Sequence, residues 1–153
     1  DRWCHGDLIE MTGSNGACGG VIVYGRSDAT LKPGGVRIGT AEIYRIVEEL
    51  SEVEDSLVIG QPWRGDIRVV LYIKPIQGRQ LDDELKIAIR EALKTKASAR
   101  HVPGLILQVE KIPYTRSGKK VELAVRDIAI GRSPANRDSL ADPTALDCYD
   151  VLE

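Results

Sequence analysis

Phenylalanine is absent from this sequence of 153 residues, and aromatic residues make up only 5% of it. Any core must therefore be aliphatic, built from Val, Ile, Leu and Ala. Cysteine is scarce as well: Cys4, Cys18 and Cys148 are too few and too scattered for a disulfide framework or a Cys-x-x-Cys metal site. An odd number of isolated thiols suits a reducing compartment, so a cytoplasmic location is expected. The two histidines, His5 and His101, stand far apart without a metal-ligand partner at close spacing, so no bound metal is expected from them. Long hydrophobic runs are missing too. Stretches such as Val102–Leu107 fall far short of a membrane span of about 20 residues, no signal peptide is visible, and no membrane partner is expected. The sequence opens at Asp1, without Met and inside a segment that reads as strand, which leads to the expectation of an excised fragment.

Charge of one sign is also lacking, since 21 Lys and Arg face 23 Asp and Glu for a net of −2. The distribution is uneven. Residues 133–153 carry one basic residue, Arg137, against five acidic ones (Asp138, Asp142, Asp147, Asp150, Glu153), a net of −4 that leaves +2 on the rest. A mildly basic body with an acidic tail gives no ground for a nucleic-acid partner. At 42% hydrophobic and 29% charged residues, the composition is that of a globular domain.

The pattern along the chain predicts an α+β fold: a small three-stranded sheet with helices packed on it, preceded by a short β segment. Residues 7–11 and 20–24 read as strands around the turn Gly13-Ser14-Asn15-Gly16. A glycine-rich stretch, Gly25 to Gly35, predicts a loop with a short hairpin. Ile43, Ile46, Val47 and Leu50 repeat with helical spacing, so a helix is expected over 40–50 with Thr40 as its N-cap. Strands are expected over 53–61 and 67–74, the second strongly β-branched and reached through a turn at Gly65-Asp66. A helix over 82–94 would turn Leu85, Ile89 and Leu93, with Ile87, Ala88 and Ala92 beside them, toward the sheet. A third strand over 104–110, a loop over 113–118 and a helix over 120–130 follow. In the tail, bracketed by Pro134 and Pro143, only 144–152 has the makings of a helical turn.

Four local features carry chemistry, and each also has a plain structural reading. In Trp3-Cys-His-Gly-Asp7, a carboxylate at a strand start can accept hydrogen bonds from two vicinal ribose hydroxyls, or simply close a turn. In Gly25-Arg26-Ser27-Asp28 and Pro33-Gly34-Gly35-Val36-Arg37, arginines beside glycines allow guanidinium–phosphate contact with close backbone approach, or form a solvated loop. The stretch Ile112-Pro-Tyr-Thr-Arg-Ser-Gly-Lys-Lys120 is not a Walker loop, since the first glycine of that pattern is missing. Lys119 at its tip can still neutralise developing phosphate charge, or be an ordinary solvated lysine. The cluster Arg90, Lys94, Lys96, Arg100 and His101 can hold a phosphate or form a solvated helix face.

Taken in order, WCHGD, GRSDATLKPGGVRIGTAEI and IPYTRSGKK resemble the C-terminal motif series of the adenylate-forming acyl-CoA synthetase superfamily. The resemblance covers about residues 1–130. Within it, GGVRIGTAEIY, SARHVPGLIL and IPYTRSGKKVE, with DPTALD in the tail, resemble the branch that ligates acetoacetate to CoA. Members activate a carboxylic acid with ATP to an acyl-adenylate and pyrophosphate, and CoA then displaces AMP. A small C-terminal domain rotates on a large N-terminal one between the two steps.

The resemblance implies that residues 1–26 end the large AMP-binding domain, that 27–132 form the mobile domain, and that 133–153 are an acidic tail. It implies ribose binding by Asp7, ribose and phosphate support by Arg26, a hinge at Asp28, and a nucleotide-phosphate contact from Arg37. Gly35 would line the pantetheine tunnel, and Arg100 would meet CoA. Lys119 would be catalytic, stabilising charge between carboxylate and α-phosphate during adenylation. His5 stands where most members carry Thr, and Lys120 directly follows Lys119, so Lys120→Ala is the expected control for Lys119→Ala. ATP, coenzyme A and Mg2+ are the implied cofactors, bound mainly by an N-terminal adenylation domain of the same polypeptide, which is the implied partner along with a small carboxylic acid. The 153 residues alone would lack ligase turnover. Two other readings stand beside this one: an acetyl- or propionyl-CoA synthetase fragment, and a free-standing binding module with the same fold.

Overall fold

The β-branched run Ile67–Ile73 forms the centre of the molecule. In the computed structural model, which describes residues 7–12, 19–26, 30–134 and 137–153, this run lies in a strand with neighbours on both edges and apolar cover on both faces. The elements in chain order are β1 (Asp7–Thr12), β2 (Gly20–Arg26), α1 (Thr40–Val47), β3 (Val53–Trp63), β4 (Asp66–Pro75), α2 (Asp83–Lys96), β5 (Leu105–Gln108) and α3 (Glu122–Ala129). β1 and β2 form an antiparallel pair of their own. The larger sheet has the order β3-β4-β5, with β3 antiparallel and β5 parallel to β4. The α+β architecture expected from the sequence is therefore present.

Alternation along the strands divides the core in two. Val58, Val69, Leu71, Ile73 and Ile106 pack with Ile43, Ile46 and Val47 of α1 and with Leu85, Ile89 and Leu93 of α2. Leu57, Ile59, Val70 and Tyr72 point the opposite way and pack with Ala124, Val125 and Ala129 of α3. Leu140, Leu146 and Tyr149 complete this second layer. The acidic C-terminal stretch thus packs on one face of the sheet. It turns at Arg137–Ser139 and again at Pro143–Leu146, where the Asp142 side chain accepts from the Thr144 amide. Its end is pinned to the β3–β4 hairpin. Gln61 donates to the carbonyl of Leu152 at 3.0 Å, and Arg68, stacked 3.8 Å over the Trp63 ring, donates to the carbonyl of Glu153 at 2.9 Å.

Several details differ from the expectations. The turn between β3 and β4 is built on Arg64 and Gly65, both at positive φ (49° and 82°), one residue earlier than expected, because a two-residue loop of this hand matches strand twist. Gly39, not Thr40, is the N-cap of α1; Thr40 is the first helical residue and is 4% exposed. α1 ends at Val47, so Leu50 packs on the core from the following turn. In α2 the stripe Leu85, Ile89, Leu93 is fully buried, but Ile87 is 60% exposed. Two residues along a helix is about 200° of rotation, which turns Ile87 away from the sheet. β5 is shorter than expected, and α3 starts at Glu122 because Lys120 still belongs to the preceding hairpin.

Candidate functional site

Residues 114–120 form a tight hairpin whose returning leg carries Lys119 and Lys120. Tyr114 and Lys120 pair across it as an antiparallel bridge. The Thr115 amide donates to the Lys119 carbonyl at 2.8 Å, and the Lys119 amide donates back to Thr115 Oγ1 at 3.1 Å. Gly118 takes φ +78°, which a residue with a Cβ adopts at a cost. Outside, the hairpin is flanked by the C-terminal stretch: Thr115 bridges Leu140, and the Ala141 amide donates to the Tyr114 carbonyl at 2.9 Å. The two lysines at its end then go separate ways. Lys119 is exposed, and no partner holds its ammonium among the described residues.

Lys120 turns into the domain. Its Nζ lies 2.5 Å from Glu48 Oε1, 2.7 Å from Asp55 Oδ1 and 2.6 Å from the Ser56 carbonyl, and 4.2 Å above the Tyr44 ring. Its side chain is 14% exposed. The other leg of the hairpin ends on the same carboxylate, since the Tyr114 hydroxyl donates to Asp55 Oδ2 at 2.8 Å. Burial first, and then the bond to Asp55, push the Tyr114 hydroxyl well above its ordinary pKa, so it remains a donor. Burial and the nearby Glu122 carboxylate do the same for Tyr44, whose hydroxyl donates to Glu122 at 3.1 Å and accepts from the Val58 amide at 3.2 Å. Lys120 is therefore structural, and Lys120→Ala is no neutral control for Lys119→Ala.

A second group of candidate residues meets at another edge. The turn Pro33–Gly35 is closed by the bridge between Leu31 and Ile38, and the Gly34 amide donates to both Asp66 carboxylate oxygens at 3.0 Å. Gly34 and Gly35 have φ of 56° and 77°. A Cβ built on Gly34 would lie 3.8 Å from an Arg100 guanidinium nitrogen, so Arg100 and the Gly34–Gly35 turn are neighbours. Arg37 and Gly35 are exposed beside them. Lys119 borders a cavity of about 310 Å³ formed with the start of α3.

The rest of the basic cluster is partly spent on internal ties. His101 Nε2 is 2.8 Å from Glu42 Oε2, and its Nδ1 is 2.9 Å from Ser98 Oγ. Lys96 pairs with Glu49 at 2.6 Å and holds that carboxyl below the usual range. At the N-terminal side, Asp7 and Arg26 face each other in register across β1 and β2, which brings those two candidates to one end of the pair. His5 and Asp28 lie outside the described residues. Among the described residues, no three His, Cys, Asp or Glu gather as a metal site. Sequence reasoning missed the joint role of Glu48, Asp55 and Tyr114 under the hairpin. The available signal was the Lys-Lys pair, because adjacent residues of an extended leg point to opposite sides.

No protein-family model matches the chain. Among curated proteins it is 52% identical over 151 residues to the acetoacetyl-coenzyme A synthetase of Rhizobium meliloti (strain 1021), covering 99% of this chain and 23% of that protein. It is 48% identical over 148 residues to the acetoacetyl-CoA synthetase of Mus musculus, covering 96% of this chain and 22% of that protein. The solved structure of acetoacetyl-CoA synthetase from Streptomyces lividans superposes with a TM-score of 0.84 at 36% identity, covering 97% of this chain and 22% of that one. The chain corresponds to the C-terminal portion of acetoacetyl-CoA synthetases, in the adenylate-forming superfamily. It spans just over a fifth of their length. A more distant neighbour, an anthranilate CoA ligase solved with anthranoyl-AMP, superposes at a TM-score of 0.67 and 26% identity over 76% of this chain and 22% of that one. No helix among the described residues is long and apolar enough to cross a membrane.

Proposed function

We propose that this chain is the mobile C-terminal part of a cytoplasmic, ATP-dependent acetoacetate–CoA ligase, acting with an N-terminal adenylation domain of the same polypeptide. Residues 1–26 would complete that larger domain, 27–132 would rotate on it about Asp28, and 133–153 would travel with the rotating part. In the first step the acid's carboxylate oxygen attacks the α-phosphorus of ATP, and pyrophosphate leaves. Lys119 would sit between the two anions, offsetting charge that builds as the bond forms. Asp7 and Arg26 would hold the ribose, and Arg37 would touch the nucleotide phosphate. In the second step the CoA thiolate attacks the acyl carbon and AMP leaves, with Gly35 and Arg100 lining the CoA path. Mg2+ would be held by the N-terminal domain, and the 153 residues alone would not turn over.

The observation that supports this reading most directly is the separation of two presentations on one domain. Lys119 projects from a hairpin fastened to Asp55 near the start of β3, while the Gly34 amide binds Asp66, beyond the other end of that strand. A domain that shows one edge or the other to a common site needs a rotation, and two half-reactions give it a use. Pyrophosphate release by the full-length ligase, measured with acetoacetate, acetate and propionate, tests the proposal. Acetoacetate-dependent release should fall by roughly 100-fold or more in Lys119→Ala, on the scale of losing one transition-state donor. Thioester formation from preformed acyl-adenylate should continue. Release unaffected by the substitution would remove Lys119 from the mechanism, and a preference for acetate or propionate would overturn the substrate.

A further inference from the structure

Lys120 is held by several groups at once, while the adjacent Lys119 is exposed. Three oxygens from the α1–β3 junction (Glu48, Asp55 and the Ser56 carbonyl) converge on one ammonium, and the Tyr44 ring lies under it. Asp55 is shared: Oδ1 faces Lys120 and Oδ2 accepts from Tyr114, the residue paired with Lys120 across the hairpin. Both legs are therefore fastened to one carboxylate at the level where the hairpin leaves the sheet. Glu48 is itself fixed, accepting from Ser56 Oγ at 2.7 Å.

A lysine pair at the end of such a hairpin has a register problem. Side chains alternate, so a slip of one residue would exchange the lysine that points outward for the one that points in. The two carry the same charge and the same length, so chemistry at the outer site does not distinguish them. The turn does, since a slip would put a residue with a Cβ at the φ of +78° that Gly118 takes, and Lys120, once bound to Glu48 and Asp55, ties the returning leg down in that register. Removing that cation would leave Asp55, whose side chain is 20% exposed, and the more open Glu48 without their ion pair.

We infer that Lys120 is a positioning residue: held by Glu48, Asp55 and the Ser56 carbonyl, it fixes the register of the 114–120 hairpin so that Lys119 alone is presented for adenylation. The catalytic part of this inference rests on the ligase reading above; the register part stands on the geometry.

Two measurements on the full-length ligase test it. The first is labelling of the wild type with a limiting amount of an N-hydroxysuccinimide acetate ester, read by peptide mass spectrometry. Lys119 should label at least about tenfold faster than Lys120, in line with one exposed and one partnered ammonium. Equal labelling would overturn the register lock. The second compares half-reactions, using whichever acid the wild type activates. In Lys120→Met adenylation should fall by roughly tenfold to 100-fold, the scale expected for a displaced catalytic group. Thioester formation from preformed acyl-adenylate should stay within about twofold, since the lysine hairpin has no part in that step by this scheme. Lys120→Arg should recover part of the loss by restoring a cation. Tyr114→Phe, which removes only the hydroxyl tie to Asp55, should give a smaller loss in the same half-reaction and covers the case in which Lys120→Met does not fold. An equal fall in both half-reactions, or no fall in either, would overturn the positioning role. A wild type that labels as expected but releases no pyrophosphate with any acid would strike the ligase reading and leave the register lock intact.

Discussion

At the scale of single residues, Gly60 shows how tightly the sheet meets the approach to α1. It lies in β3 opposite Val69, and a Cβ built on it would fall 2.9 Å from Ile67 Cγ2 and 3.2 Å from Leu31 Cδ2. Ile67 is β-branched and stiff at χ1, so it yields poorly. Leu31 is 2% exposed and part of the core, and it also anchors the bridge to Ile38 that closes the Gly34–Gly35 turn. Gly60→Ala should therefore destabilise the fold by about 1–3 kcal/mol through overpacking. Urea unfolding of the variant against the wild type measures it, and an unchanged midpoint would mean that Leu31 and Ile67 move aside without cost. The same substitution should loosen the glycine turn, a link from packing to the CoA path proposed above.

At the scale of elements, the turn Pro143–Leu146 depends on one carboxylate. Asp142 accepts from the Thr144 amide and hydroxyl and pairs with Lys111 at 2.8 Å. The Lys111 hydrogen bond, followed by those from Thr144, holds its pKa down at about 2, against an ordinary value of 3.8. A carboxyl whose pKa is lowered by folding stabilises the folded form above its unfolded value, and that contribution is lost as pH falls through the folded value. The turn should therefore loosen between about pH 4 and pH 2. Amide exchange at Leu146 and Tyr149 should accelerate across that window, and in Asp142→Asn the acceleration should disappear. A window unchanged by Asp142→Asn would assign the acid response to other carboxylates.

What could be read in advance at this scale, and what could not, has a physical division. The central strand, the three helices and the loop before Lys119 announce themselves through local period and turn chemistry, and the structure has them within a few residues of expectation. The stripe Leu85, Ile89, Leu93 was legible because burial on one helix face is a periodic signal. Ile87 is hydrophobic yet 60% exposed, because its angle on the helix, not its side-chain type, sets the face it lies on. The glycine turn and Lys119 were legible as motifs in sequence order. The Lys120 clamp was not, because its partners come from Glu48, Asp55 and Tyr114, which only the folded chain brings together. The packed C-terminal stretch was hidden for a similar reason: Leu140, Leu146 and Tyr149 are sparse, aperiodic anchors amid acidic residues.

At the scale of the whole molecule, that C-terminal stretch decides whether the sheet has two covered faces or one. α3 alone supplies Ala124, Val125 and Ala129 to the second layer, small side chains that leave Tyr72 and Leu57 in need of further cover. Leu140 and Leu146, at 2% and 1% exposure, and Tyr149, which meets the Tyr72 ring edge-on at 4.8 Å, provide it. Burial of Tyr72 also pushes its hydroxyl pKa up to about 12, a mark of how dry this layer is. Each of the three anchors contributes about 1.5–3 kcal/mol by area removed from water, an upper estimate. Their sum is comparable with a large share of a domain's net stability of about 5–15 kcal/mol. Ending the chain after residue 134 should therefore lower the melting temperature by roughly 10–20 °C. It should also raise binding of a hydrophobic dye and speed amide exchange in β3 and β4. The same truncation removes the bridge from Leu140 to Thr115, so the Lys119 hairpin should lose protection in parallel with the sheet. If the truncated chain melts with the full one and binds no more dye, the second face is covered by α3 alone, and the C-terminal stretch is an appendage after all.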